Sequence, residues 1–363
     1  MRKHYLDNIR WTTVLVVVIY HVIYMYNGVQ PFGVIGPFKD VQYQDAYQYL
    51  TFPWFMALLF VVSGISARLY LENHSVKEFA KSKHTKLLIP STLSLFVFWW
   101  ILGYYNMLIG GAFDTISFPE EVPAGVGKFI TWFIMCLSGT GVLWYIQVLW
   151  IFSMILVLVR KFEKGKLYEK TIAINSYIVV ILFIIGCMLF SHVLNTPVVT
   201  VYRFGIYGFC YFSGYFVFAH EEIIDGLCKI KIPLIILALI SGIAYTACYF
   251  GQNYALEPVN NNVLANLYCG LMIVSILACM KSWFDFETPV SKWMNSRSWG
   301  LYICHYLPLA MIAVYLKKYV PNCPALACYL LVGTGTICGG YLMYEVLSRV
   351  PFLRWVIFGI SKK

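Results

Sequence analysis

Charged residues are scarce in this chain of 363 residues. Asp, Glu, Lys and Arg make up only 12% of it, whereas about 25% is usual for a soluble domain. Hydrophobic residues account for 60% and aromatic residues for 18%, and the mean hydropathy is +0.71. This composition excludes a water-soluble fold and indicates an all-α polytopic membrane protein.

Signatures of several common site types are also missing. The 11 cysteines include no Cys-x-x-Cys pair and no His/Cys ligand spacing, so we predict no structural zinc and no other metal. There is no glycine-rich phosphate loop, visible internal repeat or low-complexity linker. The segments between apolar runs are too short for a soluble domain, and the first run is too long for a cleavable signal peptide. We therefore expect a single membrane domain over residues 1–363.

Apolar runs long enough to cross a bilayer recur along the whole chain. Such a helix needs about 20 residues. We predict ten of them, near residues 9–27, 48–70, 87–110, 141–160, 171–192, 204–219, 233–250, 263–281, 298–316 and 326–347. The apolar stretch KFITWFIMCLS at 128–138 is too short to span, so we expect a re-entrant or interfacial helix there.

The distribution of positive charge predicts the orientation of these helices. With the N-terminus inside, 22 of the 27 Lys and Arg residues fall in inner segments. This bias places both termini in the cytoplasm of a multi-pass inner or plasma membrane protein. The net charge of +10 then mostly reflects topology. Membrane lipids are the expected partners, and no nucleic-acid partner is expected.

The first apolar run carries two polar residues that an anchor does not need, Arg10 and His21. Ionisable groups at membrane depth are costly and mark functional sites by default. A step of eleven residues is close to three helical turns, or about 16 Å, so both side chains project from about the same face. Arg10 would lie at the cytoplasmic rim, and His21 would lie near mid-bilayer.

This arrangement suits a long substrate with an anionic head. An arginine fork can hold phosphates at the entrance. A neutral imidazole deeper in the membrane can act as a general base or accept an acyl group itself. An acyl-coenzyme A has the matching shape. The alternative is structural: His21 bonds another helix and Arg10 anchors the cytoplasmic end.

Three other segments carry polar residues of interest. NSRSWGLYICHYLP places His305 in a late span, with Pro308 able to kink the helix just beyond it. GVLWYIQVLW places Trp144 and Tyr145 near the outer end of its span. In LLFVVSGISARLYL, Ser63-Gly64 permits close helix approach and Arg68 follows on the cytoplasmic side.

These motifs resemble those of the acyltransferase family 3 of bacterial membrane proteins. The resemblance rests on YLDNIRW with Arg10-x10-His21, then FVVSG, LWYI, SWGLYICHYLP and the closing YEVLSRVPFLRWVIFG, which occur in the family's order over nearly the whole chain. It implies a ten-helix membrane domain that moves acetyl or succinyl groups from cytoplasmic acyl-CoA to glycans or lipid-linked sugars outside.

The resemblance also implies roles for particular residues. His21 is the expected base or acyl carrier, and Arg10 is the expected anchor for the donor or orienter of the site. Trp144 and Tyr145 are expected on the acceptor side. His305 matches the histidine of the late motif, and we place it provisionally with the donor.

In one place the chain departs from the family. Many relatives carry an arginine pair before a proline between the second and third helices, whereas this chain has KHTKLLIP, with Lys83 and Lys86. Lysines can attract the phosphates of coenzyme A as point charges, without a bidentate fork. We expect them, with Arg68, to bind the donor; an ordinary positive inner loop is the alternative. No extracytoplasmic hydrolase-like domain is expected.

The acceptor is expected to meet the outer face. The segment Asn27–Tyr49 is rich in Tyr, Gln, Asp and Phe and suits sugar binding, although a capping loop is an equal alternative. Tyr24 is expected to bind the substrate through its hydroxyl group. Arg203 could pair with an acidic acceptor group or with Glu257.

Three questions stay open at this point. Glu345 is expected to be a structural partner of a lysine or of Arg349 rather than a catalytic acid. An exporter of polysaccharide or small polar solutes is the alternative function, although no repeat symmetry or paired broken helices are visible. The sequence does not decide the oligomeric state, and a dimer is one option.

Overall fold

The computed structural model of this protein describes residues 3–30, 33–111, 127–163, 166–172, 174–198 and 200–360. In these ranges the chain is almost entirely helical. The helices are α1 His4–Tyr24, α2 Ala46–Thr51, α3 Phe55–Asn73, α4 Val76–Lys83, α5 Ile89–Ser94, α6 Trp100–Ile109, α7 Lys128–Ser138, α8 Trp144–Glu163, α9 Lys166–Thr171, α10 Ser176–Phe190, α11 Phe204–Phe216, α12 Glu221–Lys229, α13 Lys231–Tyr249, α14 Val263–Trp283, α15 Pro289–Cys304, α16 Tyr306–Tyr319, α17 Ala325–Leu347 and α18 Pro351–Phe358.

Shorter elements connect some of these helices. A hairpin of β1 (Asn195–Val198) and β2 (Thr200–Arg203) is antiparallel, with Asn195 opposite Arg203. 3-10 turns form at Tyr43–Asp45 and Gly141–Leu143. Two π-helical turns, His84–Leu88 and Leu95–Trp99, interrupt the helical segment that ends at Ile109.

The prediction of an all-α polytopic membrane protein is confirmed. In the described part of the chain, seven helical segments are long and apolar enough to cross a membrane, or eight if the bent pair α15–α16 counts as one. The predicted spans near 171–192 and 204–219 correspond to α10 and α11, which have only 15 and 13 residues. α10 begins at Ser176, later than predicted, and α11 ends at Phe216, earlier than predicted; the unpredicted hairpin occupies the chain between the two helices. The short apolar helix predicted at 128–138 is α7.

The chain divides into two compact units. Unit 1 consists of residues 1–16, 46–80 and 151–295, and unit 2 consists of residues 17–45, 81–150 and 296–363. Both contain membrane-spanning helices. The expectation of a single membrane domain over the whole chain stays a prediction.

In unit 1, α3 packs against α11 with almost no space between the backbones. A Cβ atom on Gly64 would lie 2.0 Å from the carbonyl oxygen of Tyr211, and one on Gly214 would lie 2.1 Å from that of Val61. Each helix thus contributes a glycine at the point where the other helix crosses it. The close approach predicted from Ser63-Gly64 is confirmed.

In unit 2, the helices around the late motif are also closely packed. Gly340 on α17 faces the backbone of His305, since an added Cβ would lie 3.4 Å from the His305 Cα. Gly359, which follows α18, has a φ of +65°, and a Cβ there would lie 2.4 Å from the carbonyl oxygen of Thr85. The C-terminal helix is thereby fixed against the π-helical turn at His84–Leu88.

Candidate active site

His305 lies at the bend between α15 and α16. The two helices form a 52° angle, and His305 is the single residue between them. Pro308, one turn further on, has no N–H to donate to the carbonyl oxygen of Cys304, so the helix bends there. The kink predicted from Pro308 is confirmed, and the side chain of His305 is fully buried.

The His21 and His305 side chains are in direct contact within unit 2. His305 Nε2 lies 3.1 Å from His21 Nδ1, and the ring centroids are 5.1 Å apart. The second nitrogen of His305, Nδ1, lies 2.8 Å from the carbonyl oxygen of Tyr302 and 3.2 Å from that of Leu301. The two histidines therefore form a chain of hydrogen bonds that ends on the backbone.

This chain assigns a tautomer to each ring. A carbonyl oxygen can only accept, so the proton of neutral His305 resides on Nδ1 and its Nε2 has a lone pair. His21 must then donate from Nδ1 to that lone pair. The remaining nitrogen of His21, Nε2, is left with a lone pair of its own. Of the four ring nitrogens, His21 Nε2 is the one available to take up a proton.

Tyrosine rings surround His21. Tyr306 stands edge-on to it, with centroids 5.0 Å apart, and Tyr20 stands edge-on at 5.4 Å. Tyr20 in turn stacks on Tyr24. His21, Tyr24 and Tyr306 are only partly buried, whereas His305 is fully buried. His21, Tyr24 and Tyr306 are thus the members of this group that retain some exposed surface.

Trp144 and Tyr145 connect to the histidine pair through Tyr302. Tyr145 packs edge-on against Tyr302 at 5.7 Å, and Trp144 packs against Tyr145. The Tyr302 hydroxyl donates to the Val142 carbonyl at 2.7 Å. Trp144 and Tyr145 are both buried, so in this structure they lie beside the histidine pair rather than on an open surface.

Arg10 lies in unit 1, in different surroundings. Its Nη1 atom lies 2.6 Å from Asp7 Oδ1, and its Nη2 donates to the Ser66 hydroxyl. The Arg10 side chain is 38% exposed. The continuous helix α1 thus carries the arginine near its first turns and His21 near its end, as the spacing predicts.

Arg68, also in unit 1, is already engaged on several sides. Its guanidinium lies 3.6 Å from the ring centroid of Tyr168 and faces Tyr215 at 5.8 Å. Its Nε is 3.5 Å from Glu72. The opposite face of Tyr168 stacks on His220. Donor binding by Arg68 stays a prediction.

Lys83 and Lys86 lie at the first π-helical turn of unit 2. Lys83 is the last residue of α4, and Lys86 is exposed in the middle of the turn. His84 between them packs edge-on against Trp150. A π-helical turn takes in one residue more than an α-helical turn, which changes the direction in which the following side chains project.

Arg203 in unit 1 is buried, with 2% exposure. Its Nη2 donates to the carbonyl oxygen of Asn260 at 2.8 Å, while Glu257 accepts from Asn195 at 2.7 Å. The Arg203–Glu257 pair considered from the sequence is thus replaced by separate partners. The burial of Arg203 favours a structural role, and acceptor binding by this residue stays a prediction.

The partner predicted for Glu345 is wrong. Glu345 forms an ion pair with Arg297, whose Nε lies 2.8 Å from Glu345 Oε1. The neighbours in sequence were misleading because α15 and α17 pack side by side, with Gly300 against Tyr344. The structural role expected for Glu345 agrees with this pair.

The segment predicted to meet the acceptor is held by internal hydrogen bonds. Asn27 Oδ1 accepts from the N–H groups of Val29 and Gln30, and Asp45 accepts from Gly28. Residues 31 and 32 of this segment lie outside the described residues. This bonding is typical of a capping loop, and contact with an acceptor stays a prediction.

Sequence reasoning missed Tyr302 and Tyr306, although both lie inside the late motif. Their positions, three residues before and one after His305, were the available signal. Among the described residues, no group of three or more His, Cys, Asp or Glu side chains is arranged to hold a metal ion.

In this protein, the hydrogen bond between two histidines on apolar helices fits the structural alternative as well as a catalytic site. The comparison with protein families identifies its class: the family described as an acyltransferase domain, acyltransferase family 3, matches residues 3–345. The chain belongs to this family and is an integral membrane acyltransferase. No curated protein and no solved structure gives a significant match.

Proposed function

We propose that this protein transfers an acyl group, acetyl or succinyl, from cytoplasmic acyl-CoA to a hydroxyl group of an extracytoplasmic glycan or lipid-linked sugar. The observation that carries the proposal is the contact between His21 and His305. On the tautomers assigned above, the remaining lone pair is on Nε2 of His21, a partly buried residue. A general base in that position is the main requirement for acyl transfer from an activated thioester.

The proposed reaction is a direct displacement. His21 Nε2 takes the proton of the acceptor hydroxyl group while the hydroxyl oxygen attacks the thioester carbonyl carbon. A C–O bond forms, the C–S bond breaks, and the leaving thiolate takes the proton back from His21. The products are an ester and coenzyme A as its thiol. A positioned base typically contributes a factor of about 10² to 10⁴ in rate.

His305 acts as a positioning residue in this scheme. It accepts the Nδ1–H of His21 throughout the reaction, and its own Nδ1–H stays on the Tyr302 carbonyl. The orientation of His21 and its tautomer are thus fixed before the substrate arrives. The phenol groups of Tyr24 and Tyr306 are our candidates for donating to the developing oxyanion, because Tyr306 stands edge-on to His21 and Tyr24 lies about one helical turn beyond His21 on α1.

For the donor we favour Lys83 and Lys86. Arg68 already contacts an aromatic ring and a carboxylate, whereas Lys86 is exposed at a turn where anionic groups can reach it. The phosphates of coenzyme A carry the complementary charge. Arg10 keeps the anchoring role that family membership suggests, with Asp7 and Ser66 holding its guanidinium in place.

The test is acyl transfer by purified protein in lipid nanodiscs. Radiolabelled acetyl-CoA and succinyl-CoA are supplied separately, with and without cell-envelope glycan, to the wild type and to His21→Ala. The exposed His74 provides a matched control, His74→Ala. We expect label on the glycan with the wild type and the control only. Equal transfer by His21→Ala would remove His21 as the base, and no turnover of either donor would contradict donation by these acyl-CoA compounds.

A further inference from the structure

An apolar groove of about 290 Å³ runs along unit 2 between α1 and α17. Its volume is close to the lower end of the roughly 300–1,000 Å³ that is usual for ligand pockets. The residues that line it are mostly aliphatic: Val18, Ile19, Val22, Ile23, Gly333 and Ile337, with Gln44 and Tyr329 as the polar members.

The groove exists because α17 has a glycine at its centre. A Cβ atom on Gly333 would have Val22 Cγ1 as its nearest neighbour, at 4.0 Å, so the space beside it is open. Only 22% of the most apolar stretch of α17 is buried inside the protein, and Ile19 on the opposite wall of the groove is 45% exposed. Since both helices are membrane spans, the groove opens towards lipid.

One end of the groove is polar. Gln44 Nε2 lies 3.4 Å from the Tyr329 hydroxyl, at the end of unit 2 where α1 and α16 end and α17 begins. Lys317 and Lys318 occupy the last turn of α16 at that same end. Both are exposed, and Lys317 donates to the carbonyl oxygen of Ile35, which packs in one cluster with Tyr329.

These two lysines are unusual in their predicted position. Outer segments of membrane proteins are poor in Lys and Arg, and only five of the 27 in this chain fall there by the predicted topology. Two of the five are adjacent and lie near the polar end of the groove. A pair of exposed cations there is suited to a phosphate group at the membrane surface.

We propose that the groove holds the first few isoprene units of a lipid-linked sugar and that Lys317 and Lys318 bind the phosphate joining the chain to the sugar. The inference rests on the proposed function and narrows its acceptor to a lipid-linked one. Groove volume favours a single hydrocarbon chain over the paired chains of a phospholipid, and the lysines favour an anionic linker over a neutral free glycan.

The groove also lies close to the histidine pair. Val18 and Val22 flank His21 on α1, on a neighbouring face of the same helix. On α17, Ile337 in the groove is three residues from Gly340, which packs against the backbone of His305. A lipid chain in the groove would thus run past the level of His21, with its phosphate and sugar at the outer end of α1.

The test measures binding and does not require acyl transfer. A polyprenyl diphosphate with a photoreactive group on its chain is crosslinked to the protein in phosphatidylcholine nanodiscs, and the labelled peptides are mapped by mass spectrometry. We expect label on α1 and α17. Excess unlabelled polyprenyl diphosphate should remove this label, and excess phosphatidylglycerol should not.

Variants test the residues. Gly333→Leu fills the groove and should reduce labelling about tenfold, a loss of about 1.4 kcal/mol in binding, while Gly333→Ala should retain it. Leu331→Phe, about 200° around the same helix and exposed, is the control for bulk. The double variant Lys317→Ala/Lys318→Ala should weaken binding and make it less sensitive to salt.

Three outcomes would overturn the inference: label outside α1 and α17, equal labelling of Gly333→Leu, or equal competition by phosphatidylglycerol. His21→Ala should still bind the probe although its acyl transfer is greatly slowed. If the wild-type protein is labelled by the probe but transfers no acyl group, the proposed function is contradicted and the groove assignment stands.

Discussion

His21 and His305 are separated by 284 residues in sequence, and their imidazole nitrogens lie 3.1 Å apart. A neutral imidazole has one donor and one acceptor, so a pair bonded in this way has a direction. The Tyr302 carbonyl sets that direction from one end. The accessible lone pair resides on His21, and this assignment leads to the first two predictions.

Replacement of His21 should greatly slow acyl transfer. We expect His21→Ala to lower kcat by a factor of about 10² to 10⁴, the usual contribution of a general base, with little change in the KM for acyl-CoA. Steady-state rates with radiolabelled donor measure both constants. If His21 acts as a base, wild-type protein that is incubated with radiolabelled donor but no acceptor, and then quenched, should carry no label. Covalently bound label would instead indicate an acyl-histidine.

Replacement of His305 should have a smaller effect that depends on the presence of His21. We expect His305→Ala to reduce kcat by about 10- to 100-fold because His21 loses the acceptor of its Nδ1–H. The double variant should be no slower than His21→Ala alone, since a positioning residue has nothing to position once the base is gone. Additive losses in this double-mutant cycle would assign the two histidines independent roles.

The lysines at the first π-helical turn should affect donor binding and leave the chemical step unchanged. We expect Lys83→Ala/Lys86→Ala to raise the KM for acyl-CoA about tenfold with kcat nearly constant, and to reduce the dependence of KM on ionic strength. Lys81→Ala, in an exposed position of the same helix, is the control. A fall in kcat without a change in KM would argue against donor binding here.

The α3–α11 crossing should tolerate no added atom. Gly64→Ala places a methyl group 2.0 Å from a backbone oxygen, so we expect a loss of about 2–3 kcal/mol or more in stability. Gly333→Ala, where the nearest atom is 4.0 Å away, should be close to wild type. Thermal unfolding in detergent compares the two, and equal melting temperatures would contradict the close approach.

The stability of the fold should decrease in acid because of Glu221, the first residue of α12. Burial raises the pKa of this carboxyl group, but Lys281 and Lys3, the latter with its Nζ at 2.5 Å, outweigh burial and lower it below its usual value. A lowered pKa stabilises the fold above the unfolded pKa of about 4.3, and that contribution is lost as pH falls through the folded pKa. Glu221→Gln should therefore be less stable than wild type near neutrality, and the difference should shrink in acid. A stability difference between Glu221→Gln and the wild type that does not change with pH would contradict the lowered pKa of Glu221.

The sequence singles out particular polar residues but does not give their contacts. Arg10, His21 and His305 stand out because polar groups within apolar runs are costly. Their partners depend on helix packing between distant segments, which the pattern of one chain does not contain. Glu345 illustrates this: Arg349 is its neighbour in sequence, whereas Arg297 on another helix is its partner.

The sequence also failed to predict short irregular elements between the helices. The hairpin at Asn195–Arg203 was not predicted, because hydropathy marks apolar spans and gives no signal for a short hairpin between them. Arg203 was expected to pair with an acidic acceptor group or with Glu257. Its guanidinium instead bonds the Asn260 carbonyl, an acceptor that backbone folding alone places there.

The two π-helical turns at His84–Leu88 and Leu95–Trp99 have a consequence for the family's genetics. Each accommodates about one residue more than regular winding would, so each can arise from the gain of a single codon. Loss of one codon in either turn would rotate everything beyond it by about 100° while leaving the membrane span intact. Relatives without these turns should therefore align with this segment only through gaps of one residue.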